Sequence, residues 1–189
     1  MKFALSAEVD WLYPIRVITT GAVLVLLWRH YQFYTFRISL VSVVAGVLVF
    51  LIWVVLVSGN VEKSEIVATE LERVPEFAAL FWIVFRILGS VVTVPIAEEL
   101  AFRGYLISRL AGGNFDADKR LRFSWVAWIL SSVLFGLLHS AWLAGIAAGL
   151  VYGLVRYHRN KIADAIVAHA VTNLLLSGYV LITGSWSMW

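Results

Sequence analysis

The sequence predicts an all-α fold, a polytopic transmembrane helix bundle with about six spans and a long, kinked third helix. The first observation is composition: 61% of the 189 residues are hydrophobic and 14% are charged, whereas about a quarter are charged in soluble domains. The second is a mean hydropathy of +0.87, and the third is a series of apolar runs divided by short polar segments. Because the sequence has no cysteine, disulfides, thiolate catalysis and Cys-ligated zinc are excluded.

Six apolar runs supply the predicted spans. A helix rises about 1.5 Å per residue, so about 20 residues cross a hydrocarbon core of about 30 Å. The runs cover residues 15–28, 38–57, 77–110, 123–139, 142–157 and 162–182. The first is somewhat short, and the third is longer than one straight crossing requires.

Glycine and proline refine this prediction in two of the runs. Gly89 and Pro95 predict a kink in the third run, because proline removes a helix hydrogen bond and clashes with the preceding turn. Gly145, Gly149 and Gly153 are spaced four residues apart in the fifth run. This spacing predicts that another helix approaches the backbone closely.

The connections predict the orientation of the bundle. Residues 58–76 are acidic and have the pattern of a short amphipathic helix at the membrane interface. Basic residues collect in three other loops, and they are Arg29, Arg37, Arg109, Lys119, Arg120, Arg122, Arg156, Arg159 and Lys161. Such loops stay in the cytoplasm, which places both termini outside. The net charge of +3 is modest, and we expect no nucleic-acid partner.

Three charged side chains, Glu98, Glu99 and Arg103, interrupt the third run. An ionised side chain at membrane depth costs roughly 2.5 to 3.5 kcal/mol on insertion scales, so these charges indicate a function. Glu99 and Arg103 are four residues apart, in the order that favours a helical ion pair. A structural ion pair would account for these two residues. It leaves Glu98, about 100° further round the helix, unexplained.

Three polar side chains on later runs complete the candidate set. His139 ends the fourth run, and His169 and Asn173 lie four residues apart on one face of the last run. Each has a structural alternative: His139 as an interfacial or hydrogen-bonded core histidine, and the other two as polar contacts between helices. Counted from Arg122, His139 lies about 25 Å along its helix, deeper than Glu98. The helices must tilt or extend to bring these side chains level.

Two further polar residues at depth favour structural interpretations. We expect Arg86 to extend towards the interface or to pair with an acid. We expect Asp164 to cap the N-terminus of the last helix.

The candidate residues together favour hydrolysis of an amide bond by activated water. A carboxylate takes a proton from water, a second group holds that water, and hydrogen-bond donors meet the oxyanion as the carbonyl carbon becomes tetrahedral. No Ser or Cys nucleophile stands beside a histidine in a recognisable arrangement. Activated water is therefore favoured over an acyl-enzyme intermediate.

The motifs resemble those of the CAAX protease and bacteriocin-processing family of intramembrane endopeptidases, also called the Abi family. The family pattern is Glu-Glu-x-x-x-Arg, Phe-x-x-x-His and His-x-x-x-Asn in that order. Here it reads Glu98-Glu99-Leu100-Ala101-Phe102-Arg103, Phe135-Gly136-Leu137-Leu138-His139 and His169-Ala170-Val171-Thr172-Asn173. The likeness covers about residues 77–182. The context of the first motif and the Trp-rich end also resemble the CAAX prenyl protease-related branch, which is associated with exosortase-type sorting in bacteria.

The resemblance implies roles for the polar residues. Glu98 would be the general base, His139 would position the attacking water, and His169 with Asn173 would form the oxyanion site. The remaining two residues of the first motif would shape and neutralise the pocket.

The resemblance also implies the organisation and the substrate. Residues 1–76 would form a two-span region with its acidic connection, and residues 77–189 a catalytic helical core, within one integrated membrane domain. In a bacterium this domain would lie in the inner membrane. The substrate would be a membrane-associated polypeptide, and for the narrower branch it would be the C-terminal anchor of sorted exported proteins.

Three alternatives keep the same bundle. The family has also been described as metal-dependent, and Glu98, His139 and His169 could bind zinc. Asn173, one turn from His169, fits an oxyanion donor better than a metal ligand, which favours a site without a cofactor. A non-catalytic scaffold or immunity protein could retain the polar core. A small transporter would be expected to contain inverted repeats, and none is visible.

Overall fold

The computed structural model describes residues 9–31, 38–112 and 121–189, and within these ranges it contains eight helices, a short 3-10 turn and no strand. The helices are α1 (Tyr13–Leu26), α2 (Trp28–Tyr31), α3 (Leu40–Leu56), α4 (Val61–Glu72), α5 (Glu76–Leu110), α6 (Trp125–Leu137), α7 (Trp142–Arg159) and α8 (Ile162–Thr183). The turn covers Trp186–Met188. The predicted all-α fold is confirmed. Arg37, Lys119 and Arg120 of the predicted basic loops lie outside the described residues.

The predicted apolar runs correspond to helices, but not all of these have the length of a span. Within the described residues, α5 and α8 are long and apolar enough to cross a membrane, and α3 with α4 adds a third span if this pair, bent by 109°, is counted as one. Helices α1 and α6 are apolar but contain 14 and 13 residues, which is about 20 Å. About six spans are compatible with this architecture but not confirmed by it. The orientation and the division at residue 76 stay predictions.

The acidic connection between the second and third runs forms an amphipathic helix, as predicted. Ser39 caps α3 and Asn60 caps α4, each side-chain oxygen accepting a backbone N–H three residues on. Val67 and Leu71 of α4 pack in an apolar cluster that includes Trp82 of α5. The Asn60 cap starts α4 at the corner after α3, and the apolar face of α4 holds this helix against α5.

The irregularity predicted in α5 takes the form of π-helical turns rather than a break. The stretches Gly89–Thr93 and Leu100–Leu106 wind as π-helix, and the N–H of Val94 bonds to the carbonyl of Gly89, five residues back. This wider winding precedes Pro95, whose missing N–H would otherwise leave a gap in the α-helical ladder. π-Helical turns occur frequently at functional sites. The second stretch begins directly after the paired glutamates.

Small residues bring α6 and α7 together, as the glycine spacing predicts. A Cβ added to Gly145 would lie 2.9 Å from Cα of Gly136 and 3.3 Å from Cβ of His139. Added Cβ atoms on Gly149 and Gly153 would also lie within 3 Å of atoms of α6. The close contact is therefore confirmed, and it fixes the backbone that carries His139.

Asp164 does not cap α8, contrary to the sequence prediction. The N-cap residue is Lys161, and Asp164 is 1% exposed in the first helical turn. The hydroxyls of Ser39 and Ser42 donate hydrogen bonds to its carboxylate, and Nε of Arg159 lies 3.7 Å away. The side chain therefore turns inward and joins the start of α8 to the start of α3 and the end of α7.

Gly46 provides a test of the packing between α3 and α8. A Cβ at this position would lie 2.5 Å from the carbonyl oxygen of Ala168 and 2.7 Å from Cβ of Val171, and backbone atoms cannot move aside as a flexible side chain could. We expect Gly46→Ala to destabilise the protein by about 1 to 3 kcal/mol, measured as a lower midpoint of thermal unfolding in detergent.

Gly178→Ala in α8 is the matched control. No atom lies within 4 Å of its added Cβ, and alanine favours a helix over glycine by about 1 kcal/mol. We expect its unfolding midpoint to equal or exceed that of the wild type. An unchanged midpoint for Gly46→Ala would contradict the described packing of α3 on α8.

Candidate active site

The six predicted site residues lie together although they come from elements far apart in sequence. Helix α5 supplies the first motif, the segment after α6 supplies the histidine of the second, and α8 supplies the third. The residues are Glu98, Glu99, Arg103, His139, His169 and Asn173. His139, His169 and Asn173 line a cavity of about 170 Å³, and the three residues of the first motif contact these histidines or each other.

Arg103 and Glu99 form the ion pair that their spacing predicts. Nη1 of Arg103 lies 3.1 Å from Oε1 of Glu99, and neither side chain is exposed to solvent. Nη2 of Arg103 donates a hydrogen bond of 3.0 Å to the carbonyl of Gly149 on α7. The guanidinium carbon also lies 4.1 Å from the ring centroid of Phe135 on α6, a cation–π contact. Arg103 thus connects three helices.

Glu99 holds His169 as well as Arg103. Nδ1 of His169 lies 3.0 Å from Oε1 of Glu99, and a carboxylate oxygen accepts hydrogen bonds, so Nδ1 is the donor. The ring is 4% exposed. This contact leaves Nε2 as the ring nitrogen that Glu99 does not bind.

Tyr152 supports the opposite face of His169, and the sequence analysis missed it. The two rings stack at a centroid distance of 4.9 Å and an angle of 20°. The hydroxyl of Tyr152 donates a hydrogen bond of 2.8 Å to Thr172, and Thr172 donates to the carbonyl of Gly46. Tyr152 is one of seven tyrosines, and no motif in the sequence distinguishes it from the others. Thr172 lies inside the third motif and could have been noticed.

His139 and Glu98 face each other across a short gap. Nδ1 of His139 donates a hydrogen bond of 2.9 Å to the carbonyl of Phe135, which fixes the ring and directs Nε2 away from the backbone. Nε2 then lies 4.0 Å from Oε2 of Glu98. Oε2 is buried and has no hydrogen-bond partner in the described part of the chain. The gap is too long for a direct hydrogen bond and suits a bridging water.

The short distance between Glu98 and His139 means that the two side chains lie at the same depth in the bundle. Counting the helical rise placed His139 deeper than Glu98, yet the two side chains lie at the same level. Helix α6 ends at Leu137, and Trp53 of α3 packs edge-on against the His139 ring at a centroid distance of 5.9 Å. The arrangement of the helices, rather than their rise alone, sets the level of His139.

Asn173 lines the cavity beside His139 and His169, but part of its hydrogen-bonding capacity is occupied. Its Nδ2 donates a hydrogen bond of 2.7 Å to the carbonyl of Ser90 on α5. An amide nitrogen carries two hydrogens, so one remains for a ligand. The contact with Ser90 fixes the orientation of the amide group.

The residues suggested as zinc ligands are not arranged as a ligand set. Nδ1 of His169 binds Glu99, whereas His139 faces Glu98. Within residues 9–31, 38–112 and 121–189, no group of three or more His, Asp or Glu side chains could hold a metal ion.

Comparison with known proteins identifies a similarity that covers the site. A family model described as type II CAAX prenyl endopeptidase Rce1-like matches residues 80–175, about half of the chain. The match includes all six predicted site residues. No curated protein and no solved structure matches the chain.

The buried ion pair predicts a contrast between single and double variants. Arg103→Met would leave Glu99 buried without its cation, and we expect a loss of stability of about 3 to 5 kcal/mol. The double variant Glu99→Gln/Arg103→Met leaves no uncompensated charge, so its thermal unfolding midpoint in detergent should recover much of the loss. Equal midpoints for the single and double variants would contradict the interpretation that charge, rather than shape, stabilises this position.

Proposed function

The chain belongs to the Rce1-like family of type II CAAX prenyl endopeptidases, and from this premise we propose that water activated by Glu98 and His139 hydrolyses a peptide bond of its substrate. Membership of the family and the apolar helices support an integral membrane peptidase that acts on a polypeptide. The observation that carries the proposed mechanism is the 4.0 Å separation of Oε2 of Glu98 and Nε2 of His139 at the cavity.

A water molecule held between these two atoms is the proposed nucleophile. His139 donates through Nδ1 to the backbone, so the lone pair of Nε2 accepts a hydrogen bond from one O–H of the water. Glu98 takes the proton of the other O–H. The water oxygen attacks the carbonyl carbon and a tetrahedral intermediate forms. Glu98 then passes the proton to the amide nitrogen, the C–N bond breaks, and an amine and a carboxylic acid leave.

His169 and Asn173 are the proposed donors to the oxyanion. Asn173 offers its second amide hydrogen, the first being bound to Ser90. His169 already donates through Nδ1 to Glu99, so it can donate through Nε2 only as an imidazolium. Glu99 is placed to balance that positive charge. Preorganised donors of this kind typically contribute about 100-fold to 1,000-fold each to kcat.

Arg103 and Glu99 are positioning residues in this mechanism. They do not face the gap between Glu98 and His139, but they hold His169 and join α5 to α6 and α7. A non-catalytic scaffold with the same bundle would need this pair. It would not need a carboxylate and an imidazole that face each other across 4.0 Å, as Glu98 and His139 do, and this pair supports catalysis.

The substrate class and the membrane belong to the same proposal. A membrane-associated or C-terminally anchored polypeptide suits a site formed by transmembrane helices. Membership of the wider Abi family, a role in the sorting of exported proteins and a location in a bacterial inner membrane follow from the motif context described above. For such a protein the substrate is the C-terminal anchor of the sorted chain.

Glu98→Gln is the direct test of the proposed base. The amide keeps the size of the side chain but cannot accept a proton from water, so we expect kcat to fall about 100-fold to 10,000-fold. Cleavage of a candidate C-terminal anchor peptide by the purified protein in detergent measures the effect, and His139→Ala should show a comparable loss.

Glu65→Gln is the matched control for this test. It makes the same change at an exposed glutamate of α4, away from the cavity, and should leave kcat unchanged. Undiminished cleavage by a folded Glu98→Gln protein would overturn the assignment of Glu98.

A site without metal is also part of the proposal, and it predicts a response to chelation. Asn173 faces the cavity through an amide nitrogen that donates hydrogen bonds, which suits an oxyanion donor rather than a ligand. We expect activity to survive incubation with 1,10-phenanthroline, and elemental analysis to find well under one zinc ion per protein. Loss of activity on chelation that zinc restores would favour the zinc-dependent alternative instead.

A further inference from the structure

A second pocket lies at the corner of the bundle where α6 begins and α7 ends. It is open to the surface and has a volume of about 700 Å³. Its walls come from the segment before α6 and from the last turns of α7, and they include Arg122, Phe123, Leu154, Tyr157, His158 and Asn160. Tyr157 is eight residues beyond Gly149, the residue that binds Arg103, which is about 12 Å along the helix. The pocket is therefore separate from the proposed active site.

The side chains at this corner carry positive charge. Arg122 and His158 line the pocket and are exposed, and Arg156 and Arg159 belong to the same last turn of α7. None of the described residues that line the pocket is acidic. The preceding connection, residues 113–120, contains two acidic and two basic residues, so it adds no net charge. A pocket with this balance favours an anion.

The ends of the surrounding helices support the same preference. Helix α6 begins at Trp125 and helix α8 begins at Ile162, so both direct the partial positive charge of a helix N-terminus towards this corner. The Ser124 side chain satisfies one N–H of α6, and α8 has no side-chain cap. The end of α7 has the opposite partial charge, which the basic residues of its last turn offset.

Aromatic and apolar side chains border the charged pocket. The ring of Phe123 lies 4.9 Å from the ring centroids of both Trp125 and Tyr157. Further along α6, Val126 and Ile129 are exposed. Aromatic rings beside an exposed apolar helix face are typical of the level at which a membrane protein meets the lipid headgroups. The pocket therefore joins a charged surface to an apolar one.

We propose that this pocket binds the headgroup of an anionic phospholipid. The phosphate lies at Arg122 and His158, and the acyl chains follow the exposed apolar side chains of α6. A soluble phosphate would use only the charged half of this surface, so the adjoining apolar half favours a lipid. The orientation predicted from the basic loops places this corner in the cytoplasm, where the membrane leaflet is rich in anionic lipids.

Phosphatidylglycerol fits the chemistry of this pocket. It has a net negative charge, and the hydroxyls of its headgroup can donate hydrogen bonds. Oδ1 of Asn160 is a buried acceptor with no hydrogen-bond partner in the described part of the chain, and Asn160 lines the pocket. Phosphatidylcholine has the same phosphate, but its ammonium group cancels the charge and its headgroup has no hydroxyl.

A lipid at this position joins two helices that shape the active site. Helix α6 leads to His139, and α7 supplies the carbonyl that binds Arg103. Nε1 of Trp128 donates a hydrogen bond of 2.9 Å to the carbonyl of Leu150, which already links α6 to α7. A phosphate held by Arg122 and His158 adds a second link where α6 begins and α7 ends. Because the pocket requires the folded arrangement, binding stabilises the native state.

Thermal unfolding of the purified full-length protein in dodecyl maltoside tests the proposal. The probes are dioleoylphosphatidylglycerol and dioleoylphosphatidylcholine, which have identical acyl chains, and tryptophan fluorescence measures the unfolding midpoint. We expect phosphatidylglycerol at about ten times its dissociation constant to raise the midpoint by about 3 to 6 °C. Phosphatidylcholine should have a much smaller effect. Equal shifts with the two lipids would overturn the proposal.

Two double variants locate the binding site. Arg122→Gln/His158→Gln should lose the shift that is specific to phosphatidylglycerol but keep the lipid-free midpoint, because both side chains are exposed. Arg29→Gln/His30→Gln makes the same two changes at exposed residues of α2 and should keep the full shift. An unchanged shift in the first variant, or an equal loss in both, would contradict a site at this corner.

sn-Glycerol 3-phosphate distinguishes the lipid from a soluble phosphate. It has the charged group without acyl chains, and we expect it to leave the midpoint unchanged at the concentration at which phosphatidylglycerol acts. A shift as large as that of the lipid would show that the acyl chains are not needed, and it would overturn the proposal. These measurements need no substrate, so their outcome is independent of the proposed peptidase activity.

Discussion

The guanidinium of Arg103 is the group on which the geometry of the site depends. A charge removed from solvent must be compensated by partners in fixed positions, and Arg103 is fully buried. Its partners lie on three helices, and they are Glu99 of α5, the carbonyl of Gly149 on α7 and the ring of Phe135 on α6. Glu99 extends the set to α8 through His169. A shift of α6, α7 or α8 would remove one contact from this buried ion pair, so the pair favours one arrangement of the four helices.

Close helix packing allows this single side chain to reach so many partners. Gly149 has no side chain between its carbonyl and Arg103, and its Cα lies against Ser132 of α6, where a Cβ would be 2.9 Å from the Cα of Ser132. One turn earlier, Gly145 packs beside His139. The glycine spacing of α7 therefore serves the active site as well as stability, because it sets the distance between the helix that receives Arg103 and the segment that carries His139.

Local sequence rules recovered the helices, the three motifs and the Glu99–Arg103 pair, because spacing along one helix determines those relations. These rules failed where contacts join segments that are far apart in the sequence. Asp164 has the chemistry of an N-cap, but Ser39 and Ser42, more than 120 residues away, draw it inward. The count of helix rise alone did not bring His139 level with Glu98, since rise measures depth only for helices that start and tilt alike. The π-helical winding of α5 was also not predicted, because no rule based on composition distinguishes a π-helix from an α-helix.

Glu98 and Glu99 are chemically identical neighbours, and their surroundings alone give them different tasks. A rotation of about 100° per residue turns Glu99 into the core, where its Oε1 accepts from Arg103 and His169. It turns Glu98 towards His139, whose Nε2 lies 4.0 Å from Oε2 of Glu98. The other helices, rather than the sequence of the pair, therefore decide which glutamate joins the buried ion pair and which faces His139.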